Sequence, residues 1–284
     1  MYHSTNSGSL SILLLFIILL FTISNYFTFH KIEIALGSTS HSNPLEIYNS
    51  DSMKELRRQA FQSAQNDRKS LWNSSRQANN KEFFGRVKIE AHCEHKERIG
   101  EKGDGGKYVC NPKMVRKDCT LLSLGLNNQI GYDKHIYEAT GRQCTILGAD
   151  VSAQNEQTKQ SYDIMGGRLF VGKIPESISI PQMLQKAGRR DVELLKIDIE
   201  KGEFTAVEPL IKDYFVCQIF IEIHGTPSDH YRLLQTMSGY GFRIFNVEEN
   251  IYCPTCCEYS LINELCMPQF GVIPLATIIS PVHE

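Results

Sequence analysis

Polar side chains stand at the ends of four apolar segments in this 284-residue chain. In chain order these ends carry Gly125-Leu126-Asn127-Asn128, Asp150, Asp198 with Glu200, and Glu222 with His224. Carboxylates and an imidazole can act as general bases, bind substrate hydroxyls or hold a hard cation. We therefore expect polar chemistry wherever the fold brings these ends together.

Gly125 and Asp150 have the order expected of a nucleoside-binding site. A glycine turn lets the backbone approach a ligand closely, and a following helix N-terminus favours negative charge. Asn127 stands where a second glycine is expected, so the dinucleotide fingerprint is incomplete, although Asn tolerates a left-handed turn. Asp150 lies 25 residues after Gly125 and can accept hydrogen bonds from both ribose hydroxyls. The alternative is that Asp150 caps a helix or a turn.

Charged side chains alternate with apolar ones over residues 194–200. Lys196, Asp198 and Glu200 share one side of the predicted strand, and Glu222 and His224 share one side of the next. Unpaired charges are costly when buried, so we expect them to emerge into a cleft at the strand ends. A structural Lys–Asp pair is the alternative for the first group. For the second group, the alternative is hydrogen bonding to loop backbone alone.

Strands and helices alternate along the second half of the chain. Apolar runs predict strands over 120–126, 144–150, 168–171, 192–199, 217–224, 242–247 and 259–263. Helices are predicted over 132–140, 180–187, 203–212 and 228–238. This alternation predicts a Rossmann-like α/β fold with a doubly wound, mainly parallel seven-stranded sheet. Ligands bind such sheets beyond the carboxyl ends of the strands, where the strand order reverses.

The N-terminal region predicts a membrane segment. Residues 10–29 contain no charged side chain, and about 20 such residues match the thickness of a bilayer. We interpret 1–30 as a transmembrane signal anchor, with a cleaved signal peptide ending near Ala35-Leu36-Gly37 as the alternative. Residues 31–82, with a helix-compatible run at 53–65, predict a partly helical stem. The α/β domain is expected over 83–284.

Composition bears on location and partners. Asn73-Ser74-Ser75 is an N-glycosylation sequence, and nine cysteines fit an oxidising compartment. We favour disulfides over zinc ligation, including at Cys253-Pro254-Thr255-Cys256, and we predict no metal site. The domain is expected in the lumen of the endoplasmic reticulum or Golgi on a single-pass membrane protein, or secreted if the segment is cleaved. A net charge of −2 argues against nucleic acid as a partner.

Four segments in order, SLGLNNQIGYD, CTILGADVS, LLKIDIEKGEF and QIFIEIHG, resemble FkbM-type and related methyltransferase-like families that use S-adenosylmethionine. The resemblance covers roughly residues 83–266 and is greatest to a membrane-anchored animal branch, in which a segment such as HCEHKERIGEKGDGGKYVCNP precedes the first strand. It implies that Gly125, Leu126 and Asn127 approach the methionine end of the cofactor. It also implies that Asp150 binds the ribose and that Asp198 lies beside the transferred methyl group.

The resemblance implies methyl transfer, and the polar strand ends favour a hydroxyl oxygen as acceptor. We expect His224 to act as base, Asp198 to contact cofactor or metal, and Glu222 to assist, on a glycan, lipid or small-molecule acceptor. The alternative is a catalytically inactive lumenal binding or scaffold module, since Asn127 and Lys201 depart from the family pattern. A nicotinamide-dependent oxidoreductase is disfavoured by the incomplete glycine set and the absence of a suitable Tyr-x-x-x-Lys pair.

Overall fold

The computed structural model describes residues 44–102 and 105–280. Its strands are β1 (Ala91–His92), β2 (Lys96–Ile99), β3 (Lys107–Cys110), β4 (Thr120–Leu124), β5 (Thr145–Asp150), β6 (Arg168–Val171), β7 (Asp191–Ile197), β8 (Phe215–His224), β9 (Phe242–Glu249), β10 (Cys256–Asn263) and β11 (Ile273–Pro274). Its α-helices are α1 (Pro44–Asn49), α2 (Asp51–Gln77), α3 (Asn80–Phe84), α4 (Gly131–Ala139), α5 (Glu156–Ile164), α6 (Ile180–Ala187), α7 (Glu203–Asp213), α8 (Pro227–Gly239) and α9 (Met267–Phe270).

A seven-stranded sheet organises the fold, in the spatial order β6-β5-β4-β7-β8-β10-β9. The five strands from β6 to β8 are parallel, whereas β10 runs antiparallel to both β8 and β9. The chain winds outward from β4 through β5 to β6, then returns to β7 on the other side of β4. The strand order therefore reverses between β4 and β7, which is where such sheets bind ligands.

Each face of the sheet is covered by its own apolar core. In β4, Leu122 and Leu124 belong to one buried cluster and Leu121 belongs to the other, as the two-residue period of a strand requires. The near-continuous apolar character of β4, β7 and β8 follows from burial on both faces. The predicted Rossmann-like, doubly wound and mainly parallel sheet is confirmed.

Two strand boundaries differ from the prediction in ways that affect the site. Strand β7 ends at Ile197, so Asp198 and Glu200 lie in the turn that follows rather than on the strand. Strand β10 begins at Cys256 and is antiparallel, because it enters the sheet between β8 and β9. The apolar pattern predicts only 259–263, because the charged Glu258 interrupts it near the start of the strand, although this side chain is buried.

Helix α2, which we expected in a stem, packs on the globular unit. Leu71 and Ala64 lie in the same buried cluster as the sheet, and the Trp72 ring contacts the Tyr231 ring of α8 edge-on at 5.5 Å. The Arg68 side chain donates a hydrogen bond to the carbonyl oxygen of Thr277 at 2.8 Å. The compact unit that includes the sheet begins at Pro44 and therefore contains α2. Because α2 packs on the globular unit through one side only, a few apolar side chains are enough to hold it there.

Four disulfides lie within the described residues: Cys93–Cys110, Cys119–Cys144, Cys217–Cys266 and Cys253–Cys256. The ninth cysteine, Cys257, is a buried thiol whose pKa burial raises. Eight of the nine cysteines therefore pair as disulfides, as the sequence favoured, and Cys253 and Cys256 are not free to bind zinc.

The predicted anchor at 1–30 lies outside the described residues. In the part of the chain that the structure does describe, no helix combines the length and apolar character needed to cross a membrane.

Candidate active site

The carboxyl ends of β4, β5 and β7 open onto a cavity of about 370 Å³. The residues predicted to bind a cofactor all line it: Gly125, Leu126, Asn127, Asp150 and Asp198. The volume falls within the range of about 300–1,000 Å³ that is usual for small-molecule sites. The cavity therefore brings together every residue of the predicted cofactor set.

Gly125 joins the ends of β4 and β7. Its φ is +81°, and a Cβ built on it would lie 1.6 Å from the carbonyl oxygen of Asp198. The Asp198 N–H donates to the Leu124 carbonyl at 3.0 Å, and the buried Lys196 ammonium donates to the Gly125 carbonyl at 3.1 Å. Glycine is thus needed here for packing between two strand ends, and Lys196 has a structural partner rather than a free amine.

Asp150 has a structural role that is compatible with ligand binding. One carboxylate oxygen accepts the Asn127 N–H at 2.7 Å, and the other accepts the Ser152 N–H at 2.9 Å. Each oxygen retains acceptor capacity. Asn127 adopts φ +45°, the left-handed conformation that asparagine tolerates, so the turn keeps its shape without a second glycine.

A second group, which we call the rim, consists of Asp198, Glu200, Glu203 and His224. His224 ends β8 and is 8% exposed, and its Nδ1 lies 3.1 Å from the Glu203 carboxylate at the start of α7. The same carboxylate oxygen accepts the His224 backbone N–H at 2.9 Å. The other ring nitrogen, Nε2, lies 3.7 Å from Asp198 and 3.6 Å from Glu200. Residues from three separate segments thus converge on one imidazole.

Negative charge dominates the rim. Burial by itself lowers the pKa of His224, but the hydrogen bond to Glu203 and the surrounding carboxylates outweigh it and raise the pKa to about 9. In the absence of a ligand, the imidazole is therefore protonated at neutral pH. His224 must lose this proton before it can act as a base, and its role as the base stays a prediction.

Glu222 lies next to the rim but is engaged elsewhere. One of its oxygens accepts the Asn250 amide at 2.8 Å, and the other lies 3.8 Å from the buried Lys107 ammonium. Lys107 also pairs with Glu258 at 2.6 Å. Burial, followed by the charge of Asp198, raises the pKa of Glu222. One Glu222 oxygen lies 4.0 Å from Nε2 of His224, so Glu222 borders the rim without belonging to it.

Glu203 was missed by sequence reasoning. It stands in the first turn of a predicted helix, where an exposed glutamate is common because of the helix dipole. The structure buries it completely against His224, a residue 21 positions along the chain. Nothing in the sequence pattern links the two, since the contact depends on how α7 packs beside β8.

Residues 77–244 match the Methyltransferase FkbM domain family. Comparison with curated protein sequences finds no match. Among solved structures, the chain is similar to Aeropyrum pernix fibrillarin with natively bound S-adenosyl-L-methionine, at 13% identity and a TM-score of 0.40 over 60% of this chain and 84% of that one. It is also similar to an rRNA methylase from Streptococcus thermophilus, at 13% identity and a TM-score of 0.34 over 54% and 90% of the two chains. An O-methyltransferase from neocarzinostatin biosynthesis matches at 8% identity and a TM-score of 0.34, over 54% of this chain and 51% of that one.

Proposed function

Because the chain belongs to the FkbM methyltransferase domain family, its cofactor is S-adenosylmethionine, and we propose that it transfers the methyl group to a hydroxyl oxygen. One observation carries the proposal. Asp198 belongs both to the cavity at the end of β7 and to the polar rim around His224. A group bound in the cavity and an acceptor at the rim would meet at this residue.

The cavity fits the cofactor in chemistry as well as in volume. Asp150 offers carboxylate oxygens with acceptor capacity for a ribose diol, and Val151 and Ile174 add apolar surface suited to a purine. Asp198 and Glu200 also line the cavity, and a carboxylate suits a sulfonium cation. These residues would hold the cofactor.

Methyl transfer to a hydroxyl requires removal of its proton. When bound, S-adenosylmethionine supplies a methyl group on a sulfonium sulfur, which an oxygen attacks in line. Asp198 is 23% exposed at its side chain, and its carboxylate accepts no hydrogen bond from the described residues. This supports Asp198, rather than the protonated His224, as the group that takes the hydroxyl proton. His224 then holds the rim together through Glu203.

A second cavity supports a polar acceptor. It has a volume of about 690 Å³ and shares Gly105 and Gln129 with the first. Glu101, Lys102 and the exposed Tyr252 contribute to its lining. Charged side chains beside an aromatic ring suit a hydroxyl-rich molecule such as a glycan better than an acyl chain.

The intact turn at Asn127 favours an active enzyme over a catalytically inactive binding module. The left-handed conformation is kept, and the turn amide is held by Asp150. The asparagine at position 127 therefore gives no structural reason to expect a loss of cofactor binding.

The test is methyl transfer by the full chain from labelled cofactor to pooled glycans, lipids and small alcohols. Asp198→Ala should lower transfer by at least about 100-fold, the usual contribution of an acid–base group. His224→Ala should also lower transfer, because His224 holds the carboxylates of the rim in place. Asp163→Ala, which alters an exposed aspartate in α5, should leave transfer unchanged.

Thermal unfolding distinguishes a lost active site from a lost fold. His224 is buried, so its variant needs this check, whereas the Asp198 side chain is more exposed and tolerates truncation more readily. Undiminished transfer in both folded variants would show that the rim plays no part in the reaction.

A further inference from the structure

The proton on His224 is fixed at Nδ1. A carboxylate oxygen can only accept, so the 3.1 Å contact with Glu203 requires a proton on Nδ1. In a neutral imidazole, Nε2 then presents a lone pair. This nitrogen belongs to a side chain that is 10% exposed and points towards the carboxylates of Asp198 and Glu200.

Three atoms that can each bind a metal ion face one another at this point: Nε2 of His224 and one carboxylate oxygen each of Asp198 and Glu200. Nε2 lies 3.7 Å from an Asp198 oxygen and 3.6 Å from a Glu200 oxygen, both too long for a hydrogen bond. Throughout residues 44–102 and 105–280, no group donates a hydrogen bond to any of the three. Without an ion, the protonated imidazole supplies the positive charge beside the two carboxylates. A cation bound at Nε2 would replace that proton and take over the same role.

We propose that Asp198, Glu200 and His224 bind one divalent cation of the Mn²⁺ class. At metal–ligand distances of about 2.1 Å, neighbouring ligand atoms lie about 3.0 Å apart and opposite ones about 4.2 Å. The two distances from Nε2 fall between these limits, and all three ligand atoms lie within 4.8 Å of one another. The Glu200 side chain is 86% exposed and can rotate inward to close the site.

The ligand chemistry favours Mn²⁺ over Mg²⁺. Imidazole suits first-row transition metals and carboxylates suit harder ions, so a mixed set fits Mn²⁺. Glu203 supplies the outer hydrogen bond that orients a metal-binding histidine and fixes its tautomer. Glu222 is not assigned as a ligand, because Asn250 and Lys107 already engage its oxygens.

The inference deepens the proposed function and rests on it for its consequence. A cation at this point would bind the acceptor oxygen and make its hydroxyl proton easier to remove. The proton would pass to the Asp198 carboxylate oxygen that does not bind the cation. Asp198 would then link the cavity to the cation, since the residue lines the cavity and its carboxylate is one of the proposed ligands.

The experiment titrates the chelator-treated full chain with Mn²⁺ alone and follows the electron paramagnetic resonance signal of the free ion. We expect saturable loss of signal corresponding to one ion per chain. Glu200→Gln should weaken binding by at least about tenfold without changing thermal stability, because the side chain is exposed. Glu208→Gln, an exposed glutamate in α7, is the matched control and should bind normally.

The outcomes separate this site from the proposed function. If S-adenosylmethionine binds and Mn²⁺ does not, the cation site is refuted and the methyltransferase proposal stands. If Mn²⁺ binds equally to the wild type and to Glu200→Gln, the ion lies elsewhere and the assignment is wrong. Binding of Mn²⁺ without any binding of S-adenosylmethionine supports the site and contradicts the proposed function.

Discussion

Gly125 shows how one residue determines the geometry of the site. Its lack of a side chain allows the Asp198 backbone to lie against β4, and this contact sets where the Asp198 carboxylate projects. The sequence identified Gly125 as a close approach of backbone to ligand. In the structure the close approach is to another strand end, so the glycine serves the cavity indirectly.

Comparing alanine substitutions at Gly125 and Gly141 separates two effects on stability. One is the contact with the Asp198 backbone, and the other is the left-handed backbone conformation. Gly141 also has positive φ, at +72°, but a Cβ there would meet nothing within 4 Å. We expect Gly141→Ala to lower the free energy of unfolding by about 1–2 kcal/mol, the cost of the left-handed conformation alone. Gly125→Ala should lower it by several kcal/mol more, because the added carbon meets the Asp198 carbonyl.

Urea unfolding of both variants and the wild type measures this difference. If both substitutions lower the free energy of unfolding equally, β4 and β7 move apart at little cost. The contact would then not be what positions Asp198.

The elements explain which parts of the site the sequence could predict. Parallel strands covered on both faces are nearly continuous apolar runs, so β4, β5, β7 and β8 were found, and with them the residues at their ends. The convergence of Asp150 and Asp198 followed from the rule that parallel strands end at one edge.

Contacts between elements were not predictable in the same way. Glu203 reaches His224 because α7 packs beside β8, and the burial of Lys107 with Glu258 joins the short strand β3 to β10. In both pairs the residue types are ordinary for an exposed surface. Each pair forms only through tertiary packing, so no local sequence pattern predicts it.

Helix α2 illustrates the same limit at the N-terminal side. Its polar composition predicts a stem, yet the helix buries Leu71 completely. Amphipathic patterning predicts a helix, whereas the surface that receives it is set by the rest of the fold.

At the scale of the whole molecule, we propose that the domain resides in the secretory pathway, anchored by residues 1–30. The four disulfides support an oxidising compartment. Asn73 is exposed on α2, where a glycan would project into solvent.

Mass measurement before and after N-glycosidase treatment tests this location. The full chain made in secretory eukaryotic cells should lose mass on treatment, and Asn73→Gln should abolish the change. Asn66→Gln, an exposed asparagine of α2 outside any glycosylation sequence, should not. A chain with reduced cysteines and no glycan would contradict a lumenal domain.

The central claim is that the cavity at the ends of β4, β5 and β7 binds S-adenosylmethionine through Asp150. Calorimetric titration of the full chain with the cofactor measures this directly. We expect saturable binding at one site, with Asp150→Asn weakening it at least about tenfold, which corresponds to about 1.4 kcal/mol. Asp163→Asn, in the exposed part of α5, should bind as the wild type does. No heat of binding at about millimolar cofactor, with the protein folded, would contradict the claim.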